Sequence, residues 1–206
     1  YVLIKANIID ESSSVVLSLL ALYLVNPCKL ITAYIVDYDP VLAKNLFILF
    51  IFAAAVHILL IAATFLLGKA VDLNAACKGC LIYSNCGNLI LPIIGAVLGA
   101  ESLFYSSAFY AVQNVFIWTH LQLLMGNKDG MSLKKVIFNP NIFGVFIGLV
   151  IFVTGLQPKG ALYSAIDGVG NMTGPLAMLI TGGIIAKSDM KHILSNIKVW
   201  LLCGVR

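Results

Sequence analysis

Two asparagines and a proline fall close together in an otherwise apolar run, SNCGNLILPIIGAVLGA at residues 84–100. Pro92 has no amide proton and its ring crowds the preceding turn, so a continuous helix is expected to fail just before it. Asn85, Gly87 and Asn88, immediately upstream, are poor helix formers. The pattern predicts two half-helices, the second beginning near Pro92 with open amides and partial positive charge at its tip. Such an end attracts an anion, a carboxylate above all. Asn85 and Asn88 add side-chain donors at the same place. The alternative is a plain kink eased by glycine, and the paired asparagines favour a binding site over it. Gln113 and Asn114 join as second-tier candidates, with Gln113 and His120 on one helix face (i, i+7) toward the core.

The elements that must position these residues follow from composition. The chain has 206 residues, 61% hydrophobic and 11% charged, with mean hydropathy +1.00. A soluble domain is about half apolar and a quarter charged. Here the excess falls in runs long enough to span hydrocarbon, which takes roughly 20 residues, and no stretch alternates as a β-barrel strand does. The class is an all-α polytopic membrane protein, a single membrane domain over 1–206. The tail of a first span is expected at 1–9. Spans follow at 12–36, 42–67, 76–99 (broken), 102–125, 138–155 and 160–186, with a partial eighth at 190–206. Both ends read as interrupted spans, so the chain is expected to be an internal piece of a longer protein. In lipid, the freed backbone of the broken span has to face protein or a water-filled cavity.

Loops on alternate sides divide the lysines nine to two, with Lys44 and Lys159 on the poorer side. The richer side is cytoplasmic by the positive-inside rule, which places the N-terminus outside; the protein is expected in the plasma (inner) membrane. The net charge of +4 follows from this topology and does not suggest nucleic acid. Cys77, Cys80 and Cys86 lack a fourth ligand at workable spacing, so small apolar packing is preferred to a metal. No cofactor signature is present.

The second and seventh spans look alike. Pro27, in NPCKLITAYIV, and Pro175, in GPLAMLITGGII, are separated by 148 residues, as are Asp10 from Pro158 and Asp39 from Lys187. Five spans lie between the copies, so they cross in opposite directions, as in the inverted repeats of many secondary transporters. Both prolines are expected helix breaks. The GxxxG pairs Gly95–Gly99, Gly144–Gly148 and Gly170–Gly174 most simply allow close helix packing.

Two further polar residues bear on coupling. Asp167 is either a functional intramembrane carboxylate or an interfacial one. His57 either titrates near neutral pH and couples protons or is a hydrogen-bonded packing residue. Asp167 before GVG also raises an intramembrane protease, but such enzymes need a second facing aspartate, and the other acids lie in loops.

NCGNLILP at 85–92, with Gly99 seven residues on, resembles the N-x-G-x-x-G-x-P…G segment of the auxin efflux carrier family, departing from it at Ile90, where the family usually has glycine. NPNIFGVFIGL at 139–149 and GPLAMLITGGIIA at 174–186 resemble that family's sixth and seventh spans. The short loop at 126–135 is similar to the prokaryotic members. The resemblance implies inverted five-span repeats whose broken helices cross at the substrate site, a fold shared with bile-acid symporters and sodium/proton antiporters. It implies an elevator-type carrier or permease for organic anions, such as malate, malonate or auxin-like acids, and not an enzyme. It implies a scaffold that is often dimeric, with H+ or Na+ coupling as the alternative within the same fold. In plant members the asparagine seven residues before the crossover proline contacts the substrate carboxylate, and Asn85 holds that place.

A second crossover, 148 residues after the first, would fall beyond Arg206. A non-transporting fragment is therefore the remaining alternative. Proteoliposomes holding only residues 1–206 are expected to take up no carboxylate, and uptake by them would refute this reading.

Overall fold

The computed structural model describes residues 1–6, 13–71, 73–126 and 136–206. The expected span start at Asp10, the loop lysines Lys128, Lys134 and Lys135, and the side chain of Asn88 lie outside what is described. Among the described residues all regular structure is helical. After a short turn at Val2–Lys5 the helices are α1 (Ser13–Ala33), α2 (Pro40–Ala70), α3 (Ala75–Ile82), α4 (86–97), α5 (99–124), α6 (Pro140–Thr154), α7 (Ala161–Lys187), α8 (Met190–Ser195) and α9 (Ile197–Val205).

Helix starts follow local chemistry. Asp39 accepts the Val41 amide at 2.7 Å ahead of Pro40, and Asn74 accepts that of Cys77 at 2.8 Å. Asn139 accepts the amide of Asn141 at 2.9 Å ahead of Pro140. In each case a side-chain oxygen satisfies an amide that has no partner within the helix, and a proline in first position loses nothing by lacking one. Gly155, at φ +66°, closes α6 in the left-handed conformation.

α1, α2 and α7 are each long and apolar enough to cross a membrane, and α6 is a shorter apolar helix. α2, of 31 residues, exposes Phe47, Ile51, Phe52, Leu59 and Phe65. An outward surface of that kind suits lipid rather than water.

α7 lies antiparallel to α1. Its first half packs on Asn26–Ala33, and its second half on Ser13–Leu20. A Cβ on Gly170 would come within 3.0 Å of the Lys29 backbone, and one on Gly183 within 2.7 Å of Ser14 Oγ. α6 packs on the same helix. A Cβ on Gly144 would lie 2.9 Å from the Pro27 carbonyl oxygen, and one on Gly148 would lie 2.6 Å from the Tyr34 ring. Gly144, Gly148 and Gly170 therefore do what small-xxx-small spacing suggests. Gly95 and Gly99 do not form such a pair: Gly99 opens α5 at φ +83° with open space around it. The core where α1, α5 and α6 meet centres on Tyr34, Phe104 and Phe152. Tyr34 meets the Phe104 ring edge-on at 5.3 Å, and Phe152 tilts against it at 4.9 Å.

The prolines correct the sequence reading. Helical geometry runs unbroken through Leu91 and Pro92. A π-helical turn, Cys86–Ile90, precedes them, and the Leu91 amide reaches back five residues to the Cys86 carbonyl. Pro27 is likewise no break. The turn Ala21–Val25 precedes it, and the Asn26 amide reaches the Ala21 carbonyl. A turn widened by one residue relieves the clash between a proline ring and the carbonyl four residues back. At Pro175 the helix does falter. Met172 bonds three residues back to Val169, and Thr173–Lys187 then restarts with Pro175 in its first turn. The broken span is interrupted seven residues before Pro92, at Tyr83–Asn85. There Tyr83 is extended (φ −103°, ψ 130°) and Asn85 has φ −82°, ψ 55°.

Gly144→Ala, which forces the backbone of α1 aside, is expected to destabilise the full-length protein by about 1–3 kcal/mol, read as a lower melting temperature in detergent. Gly168→Ala, with no atom within 4 Å, is expected to leave it unchanged.

Candidate functional site

The interruption frees backbone groups that have to be satisfied. α3 ends when the Tyr83 amide bonds the Gly79 carbonyl at 2.9 Å, and α4 begins when the Asn85 carbonyl accepts from Leu89 at 3.2 Å. Between them Ser84 is clamped by Gln113. Gln113 Nε2 donates to the Ser84 carbonyl at 2.7 Å, while Oε1 accepts from the Ser84 hydroxyl at 3.0 Å and its amide at 3.4 Å. One residue earlier the Tyr83 hydroxyl pairs with His120 Nδ1 at 2.8 Å. Gln113 and His120, expected on one face of α5, both meet the interruption.

Beside this clamp lies a cavity of about 330 Å³. Five carboxamide residues line it: Asn26 from α1, Asn85 from the interruption, Gln113 and Asn114 from α5, and Asn141 from α6. Ser18, Ser84 and Tyr110 add hydroxyls, and Leu22, Trp118 and Ile180 add apolar wall. All three π-helical turns of the described chain border it, at Ala21–Val25, Cys86–Ile90 and Ile117–Leu121. Turns of this kind recur at functional sites because they turn side chains and carbonyls out of register. Among the described residues no formally charged one lines this cavity. What it offers is a set of amide donors and acceptors.

The donors differ in how far they are committed. Asn114 Nδ2 donates to the Tyr110 carbonyl at 2.9 Å. Asn141 is 1% exposed, and neither its Oδ1 nor its Nδ2 has a partner among the described residues. Leaving such groups unmet costs about 1–3 kcal/mol. Gly87 borders the cavity where nothing larger fits, since a Cβ there would lie 2.4 Å from the buried Tyr110 ring. The helix restart at Cys86 puts the first residues of α4 six positions before Pro92, with Gly87 among those lining the cavity.

The other predicted residues sit elsewhere. Pro92 and Pro175 line a separate cavity on the far side of α4. Asp167 accepts from Asn171 Nδ2 at 2.9 Å. His57 is fully buried, stacked on Phe116 at 5.3 Å and tilted against Phe109 at 4.9 Å, with Nδ1 2.8 Å from the Ala53 carbonyl. Pro27 is a packing surface for Gly144. Sequence reasoning missed Asn26, Ser84, Tyr110 and Asn141 as cavity residues. Their one signal was polarity in or beside apolar runs, with Asn26 and Asn141 each next to a proline.

Gln113→Leu is expected to lower the stability of the full-length protein by about 1–3 kcal/mol, because it strands the Ser84 carbonyl. Thermal unfolding in detergent measures the effect.

The model of one protein family, described as membrane transport proteins, matches residues 1–133 and 127–202. No curated protein and no solved structure matches the chain significantly. With nearly its whole length matched, the chain belongs to the auxin efflux carrier family of membrane transport proteins.

Proposed function

We propose that the carboxamide cavity is the substrate site of a secondary carrier for small organic anions. The observation that carries this reading is the convergence of Asn85, Gln113, Asn114 and Asn141 on one uncharged cavity beside an interrupted helix. Neutral amide donors replace the water around a carboxylate without an opposing charge that would trap it, as release on the far side of a membrane requires. Malate, malonate or an auxin-like acid fits a volume of about 330 Å³.

The packing supports an elevator-type division. α1, α6 and α7 are joined through glycine contacts as a scaffold, and the cavity lies on the seam between them and α3–α5. The antiparallel contact of α1 with α7 supports the inverted repeat, and dimerisation through the scaffold follows the same reading. We place the protein as a multi-pass protein of the plasma (inner) membrane, its N-terminus outside. Neither Asp167 nor His57 lines the cavity, so the carrier reading does not depend on H+ or Na+ coupling through them.

In the full-length protein, Asn85→Ala is expected to cut uptake of labelled malate or malonate at least tenfold while leaving the melting temperature unchanged. Wild-type uptake by this variant would count against the site.

A further inference from the structure

The cavity on the far side of α4 also measures about 330 Å³ and is lined by Lys29, Pro92, Ala96, Gly170, Thr173 and Pro175. It occupies the opposite half of the helices from the carboxamide cavity. The first cavity reaches Ser18 and Trp118, near the start of α1 and the end of α5. The second reaches Ala96 and Gly170, near the end of α4 and midway along α7. Between them Asn26, Lys29, Leu30, Gly87, Leu91, Tyr110 and Thr173 leave only a gap too narrow to admit a water molecule. The tight contact of Gly87 with the Tyr110 ring forms part of that partition.

Among the described residues, Lys29 is the one formally charged residue lining either cavity. Its ammonium donates to Asn171 Oδ1 at 2.9 Å, and Asn171 Nδ2 donates to Asp167 Oδ2 at 2.9 Å. Asn171 thus orients the cation while keeping the carboxylate one residue away. Among the described residues the ammonium has no other hydrogen-bond partner, so two of its three N–H groups remain for a guest.

We propose that the Lys29 cavity is a second anion station on the far side of the Gly87–Tyr110 partition, selecting dianionic carboxylates by charge. This rests on the carrier reading and deepens it. The neutral cavity recognises a carboxylate by hydrogen bonds, whereas Lys29 adds a full positive charge that a dicarboxylate feels more strongly than a monocarboxylate.

The test has two arms, both on the full-length protein. In the first, uptake of labelled malonate and lactate is compared. Lys29→Gln is expected to raise KM for malonate about tenfold and to change that for lactate far less. Lys29→Arg, which keeps the charge, is expected to restore malonate KM. If Lys29→Gln changes both substrates equally, or Lys29→Arg fails to restore malonate KM, Lys29 is only a helix tether and the proposal is overturned with the carrier reading intact.

The second arm does not depend on transport. Ala96→Cys places a thiol in the cavity, and its labelling above the background of the five native cysteines is followed with a sulfonated and a trimethylammonium methanethiosulfonate. The anionic-to-cationic rate ratio is expected to fall about tenfold with Lys29→Gln, as loss of one nearby unit charge predicts. An unchanged ratio overturns the proposal. If the wild type takes up neither acid, the carrier reading fails, and this arm alone decides whether the cavity gathers anions.

Discussion

A membrane helix has no water to satisfy a freed carbonyl or amide, and that constraint organises this structure around Ser84. Three bonds from Gln113 hold the backbone that the interruption releases, and the Tyr83–His120 pair holds the residue before it. Because both partners come from α5, the interruption cannot form without that helix in register. The cavity is the space left when α5, bound to the gap, meets the scaffold of α1, α6 and α7.

The scaffold itself depends on missing side chains. Gly144 and Gly170 bring α6 and α7 onto the backbone of α1 at Pro27 and Lys29. The consequence reaches both cavities, since Asn26 and Lys29 sit on that turn of α1, one facing each side of α4. Close helix approach, a requirement of packing without a hydrophobic driving force, is also what delivers polar groups to the interior.

Much of this was legible in the residues. Hydropathy gave the all-helical membrane class, and the i, i+7 spacing of Gln113 and His120 pointed both at the gap. Asn85 stood out through its distance from Pro92. The place of the interruption was not legible, because a proline announces a missing amide without saying how the helix accommodates it. Here π-helical turns absorb both Pro27 and Pro92, and the break falls where Gln113 can bind it. Asn26 and Asn141, and the Lys29–Asn171–Asp167 chain, are pairings across long sequence separations, which local patterns do not encode.

The three widened turns differ in one respect that shapes the cavity wall. In two of them the surplus residue stands directly ahead of a proline, Pro27 or Pro92. A bulge of this kind migrates along a helix by handing each carbonyl to the next amide, and a pyrrolidine nitrogen has none to offer. Those two bulges therefore cannot move past their prolines toward the C-terminus. The third, Ile117–Leu121, has no proline beside it, so the wall bearing Trp118 carries no such bar to a bulge shifting along its helix.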